Sequence, residues 1–323
     1  MSKNKIKIIL DTDIGTDIDD ALALAYLLQQ PRCELMGITT LTGQARERAM
    51  LASVICHAAG RDDIPIYPGI EECMHIAQKE KYAPQAGVLG RWKHTESFPE
   101  GEALQFMRRM IRDNPGEVIL LGISPMSNIA RLFLMDPELP SLLKGLYLMC
   151  GKFSEYEFKN WFDPQDQGDG ALTAFEPRNL KSFMAGGSLE MNALIDPYAT
   201  AVVYRHSCPV HRSIGVDMTH RVTMPMKEFQ EACSQHELLE PVLDMAGIWF
   251  QSKAEVCFHD PLATVCIFNE KVCEFERGNV DIELMSDRLL GYTFFEKYPS
   301  GKHEVAASVN TVEFFKEYFS VFR

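Results

Sequence analysis

The feature that most constrains this chain is an aspartate-rich loop between a short apolar run and a stretch typical of a buried helix. Residues 5–10 form the strand-like run, and Asp11–Asp20 carries five carboxylates in ten residues. Residues 21–28 are apolar on nearly every side, which is typical of a helix inside a core. The sequence therefore predicts a strand and a buried helix joined by an acidic turn.

The same alternation of strands and helices continues along the chain. Further strands are predicted at 35–40, 64–67, 117–121, 146–149, 280–284 and 292–296, and helices at 47–59, from Ser124-Pro125 onward, and around 228–254. Such alternation implies right-handed crossovers, so we predict an α/β fold with an open, mostly parallel (Rossmann-like) sheet and helices on both faces. Ligands bind outside the carboxyl ends of such strands. The acidic loop, Ile123-Ser124 and Cys150-Gly151 all follow strands and should share that rim.

Composition narrows the class of protein. The chain has 323 residues, 46% of them hydrophobic, and no linker-like segment divides it, so we predict a single domain over 1–323. A net charge of −13 argues against a nucleic-acid partner and against an anionic membrane surface. Nine scattered cysteines without a Cys-x-x-Cys pair indicate reduced thiols. We see no signal peptide and no apolar stretch long enough to span a bilayer, so we expect a cytoplasmic location.

The carboxylates of the loop favour a metal site. Crowded carboxylates repel one another unless a cation lies among them. Calcium accepts about six to eight oxygen ligands in irregular geometry, whereas magnesium demands a stricter octahedron. Helix capping is the simpler alternative, and it accounts for Asp19 or Asp20 but not for all five aspartates.

A series of short blocks extends in order from Lys5 to Phe268. They are Asp11–Ala21, Ile38-Thr39-Thr40 with Gly43, residues 58–69, Leu121–Ala130, Met149-Cys150-Gly151, Glu190-Met191-Asn192 with Asp196-Pro197, residues 216–220, and His259-Asp260-Pro261. These blocks and their order resemble the inosine-uridine preferring nucleoside hydrolase family, although the acidic loop is longer here around Asp17. The resemblance implies a nucleoside hydrolase fold, an N-ribosyl hydrolase activity that converts ribonucleosides to ribose and free base, and a homodimer or homotetramer.

The resemblance also implies a calcium ion and a metal-activated water. Asp13, Asp20, Asp260 and the backbone carbonyl of Ile123 would hold the calcium, and Asp13 would also be the general base. These roles suit the chemistry, because a metal lowers the pKa of a water and one carboxylate can then complete its deprotonation.

The sugar would be held by further residues that the resemblance supplies. Asp19 would accept hydrogen bonds from the ribose diol. Glu190 and Asn192 would grip the ribose, and because they lie two apart on a strand-like segment, we expect them to face the same side. Carboxylates near the sugar would stabilise the oxocarbenium-like transition state.

Three departures from the family concern the substrate. Gln44 stands where the family usually has Asn, and we take it as a substrate-binding residue. The resemblance implies that His259 is the acid for the departing base, and because Ala83 stands where a histidine would fall, a second proton donor is missing. An insert at about 152–187 carries Trp161 and Phe162, which we hypothesise cover the base pocket; packing at a subunit interface is the alternative.

Several of these features have simpler interpretations. His259-Asp260-Pro261 could merely open a helix, and Thr219-His220 is more typical of a strand end held by hydrogen bonds. Two other functions stay open: a ribose- or nucleoside-binding protein of the same fold with weakened catalysis, and a haloacid-dehalogenase-like phosphatase suggested by Asp11-Thr12-Asp13. The phosphatase motif expects Thr or Val where this chain has Gly15. No Gly-x-Gly-x-x-Gly follows the first strand, which disfavours an oxidoreductase.

Overall fold

A computed structural model describes residues 5–154 and 189–322 of the chain. Its strands are β1 (Ile6–Thr12), β2 (Cys33–Thr40), β3 (Ile66–Pro68), β4 (Val118–Gly122), β5 (Gly145–Met149), β6 (His211–Ile214), β7 (Thr223–Pro225), β8 (Glu255–Cys257), β9 (Cys273–Ile282), β10 (Thr293–Lys297) and β11 (His303–Val309). Nine of them form a central sheet in the order β10-β9-β11-β6-β5-β4-β1-β2-β3, and β7 pairs with β8 apart from it.

Helices connect the strands of the described ranges. They are α1 (Asp19–Gln29), α2 (Ala45–Ala58), α3 (Ala103–Asp113), α4 (Ser127–Met135), α5 (Leu139–Leu142), α6 (Met191–Ile195), α7 (Pro197–Arg205), α8 (Val216–Thr219), α9 (Met226–Cys233), α10 (Glu240–Trp249), α11 (His259–Val265) and α12 (Thr311–Ser320). Short 3₁₀ helices cover Pro84–Arg91 and Glu237–Leu239.

Strand β1 lies inside the sheet and pairs in parallel with β2 on one side and β4 on the other. Ile8 and Leu10 enter the apolar cluster that includes residues of α1, α2, α11 and α12, whereas Ile9 enters the cluster that includes residues of α3, α4 and α7. Successive side chains of a strand point to opposite faces. Helices therefore cover both faces of the sheet, and each such buried side chain contributes about 1.5–3 kcal/mol. The predicted α/β fold is confirmed.

The sheet is parallel from β3 to β11, and β9 alone within the described sheet runs antiparallel to both of its neighbours. The sequence did not predict β6 or β11. In β6 the buried positions are taken partly by His211 and Ser213, so the segment lacks the apolar run that marks a central strand.

One predicted helix start is wrong. Ser124-Pro125 does not cap α4, which begins at Ser127 with Met126 in the N-cap position. The Ser124 hydroxyl instead donates to the backbone carbonyl of Asp11 at 3.3 Å. This bond ties the end of β4 to the end of β1, where the acidic loop begins.

Most of the predicted insert, with Trp161 and Phe162, lies outside the described residues, and the hypothesis that they cover the base pocket lies there with them. In the ranges that the structure covers, no helix is both long and apolar enough to cross a membrane. The single domain over 1–323 stays a prediction.

Candidate active site

The acidic loop begins inside β1 and ends on the first turn of α1. Asp11 and Thr12 belong to β1, and Asp19 and Asp20 are the first residues of α1. The chain turns at Gly15, whose φ of +125° is a conformation that side chains with a Cβ rarely adopt. A Cβ at this position would also lie 2.8 Å from Cδ1 of Leu51. Glycine is therefore required both for the turn and for the close approach of α2.

Asp11 supports the loop from within the sheet. Its Oδ1 accepts hydrogen bonds from the Thr39 hydroxyl at 2.6 Å and from Nδ2 of Asn128 at 2.8 Å. Burial of the carboxyl group raises the pKa of Asp11 to about 7. Asp11 thereby joins β1 to β2 and α4 at the rim of the sheet.

Three carboxylates from distant parts of the chain meet beside this rim. Oxygen atoms of Asp19, Asp20 and Asp260 all lie within 4.8 Å of one another, and all three residues are buried. The backbone N–H of Asp260 donates to Oδ2 of Asp19 at 3.1 Å, and the Thr12 hydroxyl donates to Oδ1 of Asp20. Burial and then repulsion from Asp19 hold the pKa of Asp20 and of Asp260 well above the usual range.

Asp13 belongs to the same electrostatic environment but not to this tight group of three. Burial, followed by repulsion from Asp20, holds the pKa of Asp13 well above its usual range. We call Asp13, Asp19, Asp20 and Asp260 the acidic cluster.

The acidic cluster fits a hard divalent cation. Its donors are carboxylate oxygens, which suit calcium or magnesium better than metals that prefer sulfur. Buried like charges are costly unless a counter-charge accompanies them. The structure thus brings together two of the three aspartates predicted as metal ligands, Asp20 and Asp260, with Asp19, which was predicted for the sugar. Asp13 lies outside this tight group, and its predicted role as a ligand stays a prediction. Ile123 follows β4 and donates its N–H to the Asp11 carbonyl at 2.9 Å, and its predicted role as a ligand stays a prediction.

Glu190 and Asn192 do not lie on a strand, and that prediction is wrong. Glu190 is the N-cap of α6, and its carboxylate accepts from the backbone N–H groups of Asn192 at 2.7 Å, Ala193 at 3.0 Å and Gly151 at 2.9 Å. Asn192 donates from Nδ2 to the Met149 carbonyl at 2.9 Å. A glutamate at a helix start can satisfy free N–H groups in this way. Both side chains are therefore held beside the end of β5.

His259 opens α11 directly before Asp260, and its ring is oriented by Thr219. Its Nδ1 lies 2.6 Å from the Thr219 hydroxyl, and the rings of His220 and His259 are 5.2 Å apart. Desolvation, followed by the charge of His220, holds the pKa of His259 well below its usual range. Thr219 ends the short helix α8 rather than a strand, so the predicted strand end is wrong.

A family model described as inosine-uridine preferring nucleoside hydrolase matches residues 8–316. The chain belongs to this family. The predicted N-ribosyl hydrolase is thereby confirmed, and the phosphatase alternative is not favoured.

Individual relatives agree with this assignment. The inosine-uridine preferring nucleoside hydrolase of Crithidia fasciculata is 25% identical over 302 residues, which is 89% of this chain and 86% of that protein. A probable uridine nucleosidase 1 of Oryza sativa subsp. japonica is 24% identical over 291 residues, covering 86% and 81% of the two chains. The solved structure of a purine-preferring ribonucleoside hydrolase from Gardnerella vaginalis has the same fold, with a TM-score of 0.78 at 21% identity over 98% of this chain and 97% of that one.

The two positions at which the sequence predicts a departure from the family pattern, Gln44 and Ala83, lie side by side in this nucleoside hydrolase. Gln44 has a left-handed backbone, with φ of +63°, at the start of α2. Its Oε1 accepts a hydrogen bond from the backbone N–H of Ala83 at 2.8 Å. Gln44 thus holds the segment that contains Ala83.

No sequence pattern indicated a role for Arg48, and the sequence favoured a structural role for Thr219. Arg48 has a fully buried side chain inside the predicted second helix, and nothing in its neighbours there marks it as special. Thr219 contacts His259 across 40 residues of chain, and the signal that could have found it was its position in a matched family block.

Proposed function

We propose that this enzyme hydrolyses the N-glycosidic bond of ribonucleosides in a calcium-dependent reaction that yields ribose and the free base. The convergence of the acidic cluster carries the proposal, because four buried carboxylates of one sign call for a divalent cation. Family membership supports the substrate class. The relatives described above are an inosine-uridine preferring hydrolase, a probable uridine nucleosidase and a purine-preferring hydrolase, so the base accepted here stays open.

The metal would be held by carboxylates of the acidic cluster, with Asp20 and Asp260 at its centre and the carbonyl of Ile123 as a further ligand. Asp13 and Asp19 would offer further carboxylate oxygens to the same cation. When bound, the cation would offset the repulsion among these carboxylates and lower the pKa of a neighbouring water.

Asp13 would act as the general base. It takes a proton from the water whose oxygen forms the new bond to C1′, while the bond between C1′ and the base nitrogen breaks. The positive charge that develops on the sugar is stabilised by the negative carboxylates nearby. Asp19, Gln44, Glu190 and Asn192 would position the ribose.

His259 would assist departure of the base. Its Nδ1 lies 2.6 Å from the Thr219 hydroxyl, and this contact fixes the orientation of the ring. Nε2 would serve the leaving group. A proton passed from Nε2 to the departing base nitrogen would neutralise the negative charge that develops there as the bond to C1′ breaks.

The test measures free ribose released from a panel of ribonucleosides in calcium and in EDTA. We expect release in calcium, loss in EDTA, and recovery when calcium is returned in excess. Asp260→Asn should abolish release. The matched control is Asp136→Asn, because Asp136 is also buried but is paired with Arg108 and Arg112. Ribose release that EDTA leaves unchanged would contradict the proposed calcium dependence.

The cytoplasmic location and the homodimer or homotetramer belong to the same proposal. Size-exclusion chromatography with light scattering would test the oligomeric state.

A further inference from the structure

Five consecutive backbone carbonyls of the acidic loop, from residue 13 to residue 17, accept hydrogen bonds from two residues outside the loop. Residues 13–18 belong to no helix or strand, so their carbonyl groups need donors from elsewhere. Arg48 donates from Nη1 to the carbonyl of Asp13 and, at 3.3 Å, to that of Ile14.

Gln85 supplies the donors for the other three carbonyls. Its backbone N–H donates to the carbonyl of Gly15 at 3.0 Å. Its Nε2 donates to the carbonyls of Thr16 at 3.2 Å and Asp17 at 3.0 Å. The side chain of Gln85 is fully buried, so these bonds are shielded from competition with water.

We propose that Arg48 and Gln85, here called the supporting pair, are positioning residues that hold the acidic loop in its metal-binding shape before a cation binds. The inference rests on the proposed function, because it assigns support to the same site. The four crowded carboxylates repel one another. Hydrogen bonds that fix the loop backbone oppose the displacement that this repulsion would cause.

Arg48 suits this role because its guanidinium group joins three segments. Nε donates to the carbonyl of Gly43 at 2.9 Å, after β2. Nη2 donates to the carbonyl of Tyr82 at 3.1 Å and to the Thr16 hydroxyl at 3.1 Å. A planar fork with five donors can make all of these bonds at once, whereas the single ammonium of lysine cannot.

The charge of Arg48 is balanced locally, so the supporting pair does not take the place of the metal. Arg48 forms an ion pair with Glu80 at 3.0 Å, and its side chain is 0% exposed. The Thr16 hydroxyl also donates to Glu80. The negative charge of the acidic cluster therefore remains available to a divalent cation.

The test compares metal binding and loop protection in Arg48→Lys and Gln85→Met. Lysine keeps the charge but loses the fork, and methionine keeps the volume but loses Nε2. Calcium affinity is measured by calorimetry on metal-free protein, and amide hydrogen exchange of residues 13–18 is measured in EDTA. We expect a Kd on the order of 10- to 100-fold weaker in Arg48→Lys, a smaller loss in Gln85→Met, and faster exchange in both.

Arg212→Lys is the matched control. Arg212 is also largely buried and ion-paired, with Glu304 at 2.8 Å, but it lies on β6 and contacts none of the loop carbonyls. We expect this variant to lose stability while its calcium Kd and its exchange at residues 13–18 stay at the wild-type values.

Wild-type Kd and wild-type exchange in both variants would overturn the supporting role. If Arg48→Lys fails to fold, Gln85→Met decides, because it removes only two hydrogen bonds. A wild-type protein that binds no calcium would count against the proposed function, and the exchange rates in EDTA would still decide the supporting role.

Discussion

Two groups of polar side chains at the site differ in what surrounds them. In the acidic cluster, carboxylates such as Asp20 and Asp260 face like charges, and burial together with repulsion raises their pKa. Glu190 and His259 belong to a second group, which we call the hydrogen-bonded set, together with Asn192 and Thr219. There the Glu190 carboxylate accepts three backbone N–H groups, and Nδ1 of His259 meets a hydroxyl.

The hydrogen-bonded set is compensated by donors and acceptors of the protein itself, whereas the charge of the acidic cluster needs a bound cation to compensate it. Removing a charge from the acidic cluster relieves repulsion, so it should cost function and not stability. Removing a member of the hydrogen-bonded set leaves buried donors unpaired, so it should cost stability first.

The largest effect is expected for Asp13→Ala. Loss of the general base should lower kcat on the best nucleoside by about 10²- to 10⁴-fold. In EDTA, the melting temperature should stay equal or rise, because one buried like charge is gone. Steady-state kinetics and thermal melting check both parts. A kcat within threefold of the wild type would place the base elsewhere.

The next effect concerns calcium itself. At a free concentration of a hundred times its Kd, calcium should add about 2.7 kcal/mol to the free energy of unfolding. Asp20→Asn should remove this gain and should raise the melting temperature in EDTA. Differential scanning calorimetry with and without calcium measures both. An equal calcium-induced shift in the variant would mean that Asp20 is not a ligand.

Glu190→Gln tests the hydrogen-bonded set. The amide loses the charge-assisted bonds to three N–H groups, so the free energy of unfolding should fall by about 1–3 kcal/mol. Calcium affinity should not change, whereas KM should rise. Denaturant unfolding and calorimetry distinguish these outcomes. A variant that loses calcium affinity and keeps its stability would contradict the distinction between the hydrogen-bonded set and the acidic cluster.

The smallest effect is expected for Thr219→Val. Loss of one hydrogen bond to His259 should lower kcat on inosine about fivefold, which corresponds to ~1 kcal/mol. p-Nitrophenyl riboside needs no acid, so its hydrolysis should be unaffected, and Thr219→Ser should restore the rate on inosine. Equal losses on both substrates would show that Thr219 does not affect proton donation to the leaving group.

The sequence predicted the parts of the site that depend on neighbours in the chain. A strand over residues 5–10, a turn at Gly15 and a buried helix over residues 21–28 follow from local patterns, and the structure has all three, with the helix beginning two residues earlier at Asp19. Strands β4 and β5 could be predicted for the same reason, because they are continuous apolar runs, whereas β6 lacks such a run and was not predicted.

Predictions failed where tertiary contacts override local pattern. The alternation around Glu190 fits a strand, yet the N–H groups of Gly151 and Ala193 recruit its carboxylate as a helix cap. Arg48 looks like an ordinary helix residue, because its acceptors lie in loops after β2 and around residue 80. No local pattern encodes such partners.

The bond between the Asp260 N–H and Asp19 joins residues 241 positions apart. During synthesis, the first strands and helices can therefore assemble long before the fourth carboxylate has left the ribosome. Assembly of the acidic cluster thus reports that the two distant parts of the chain have docked, which makes hydrolytic competence one of the last properties the protein acquires.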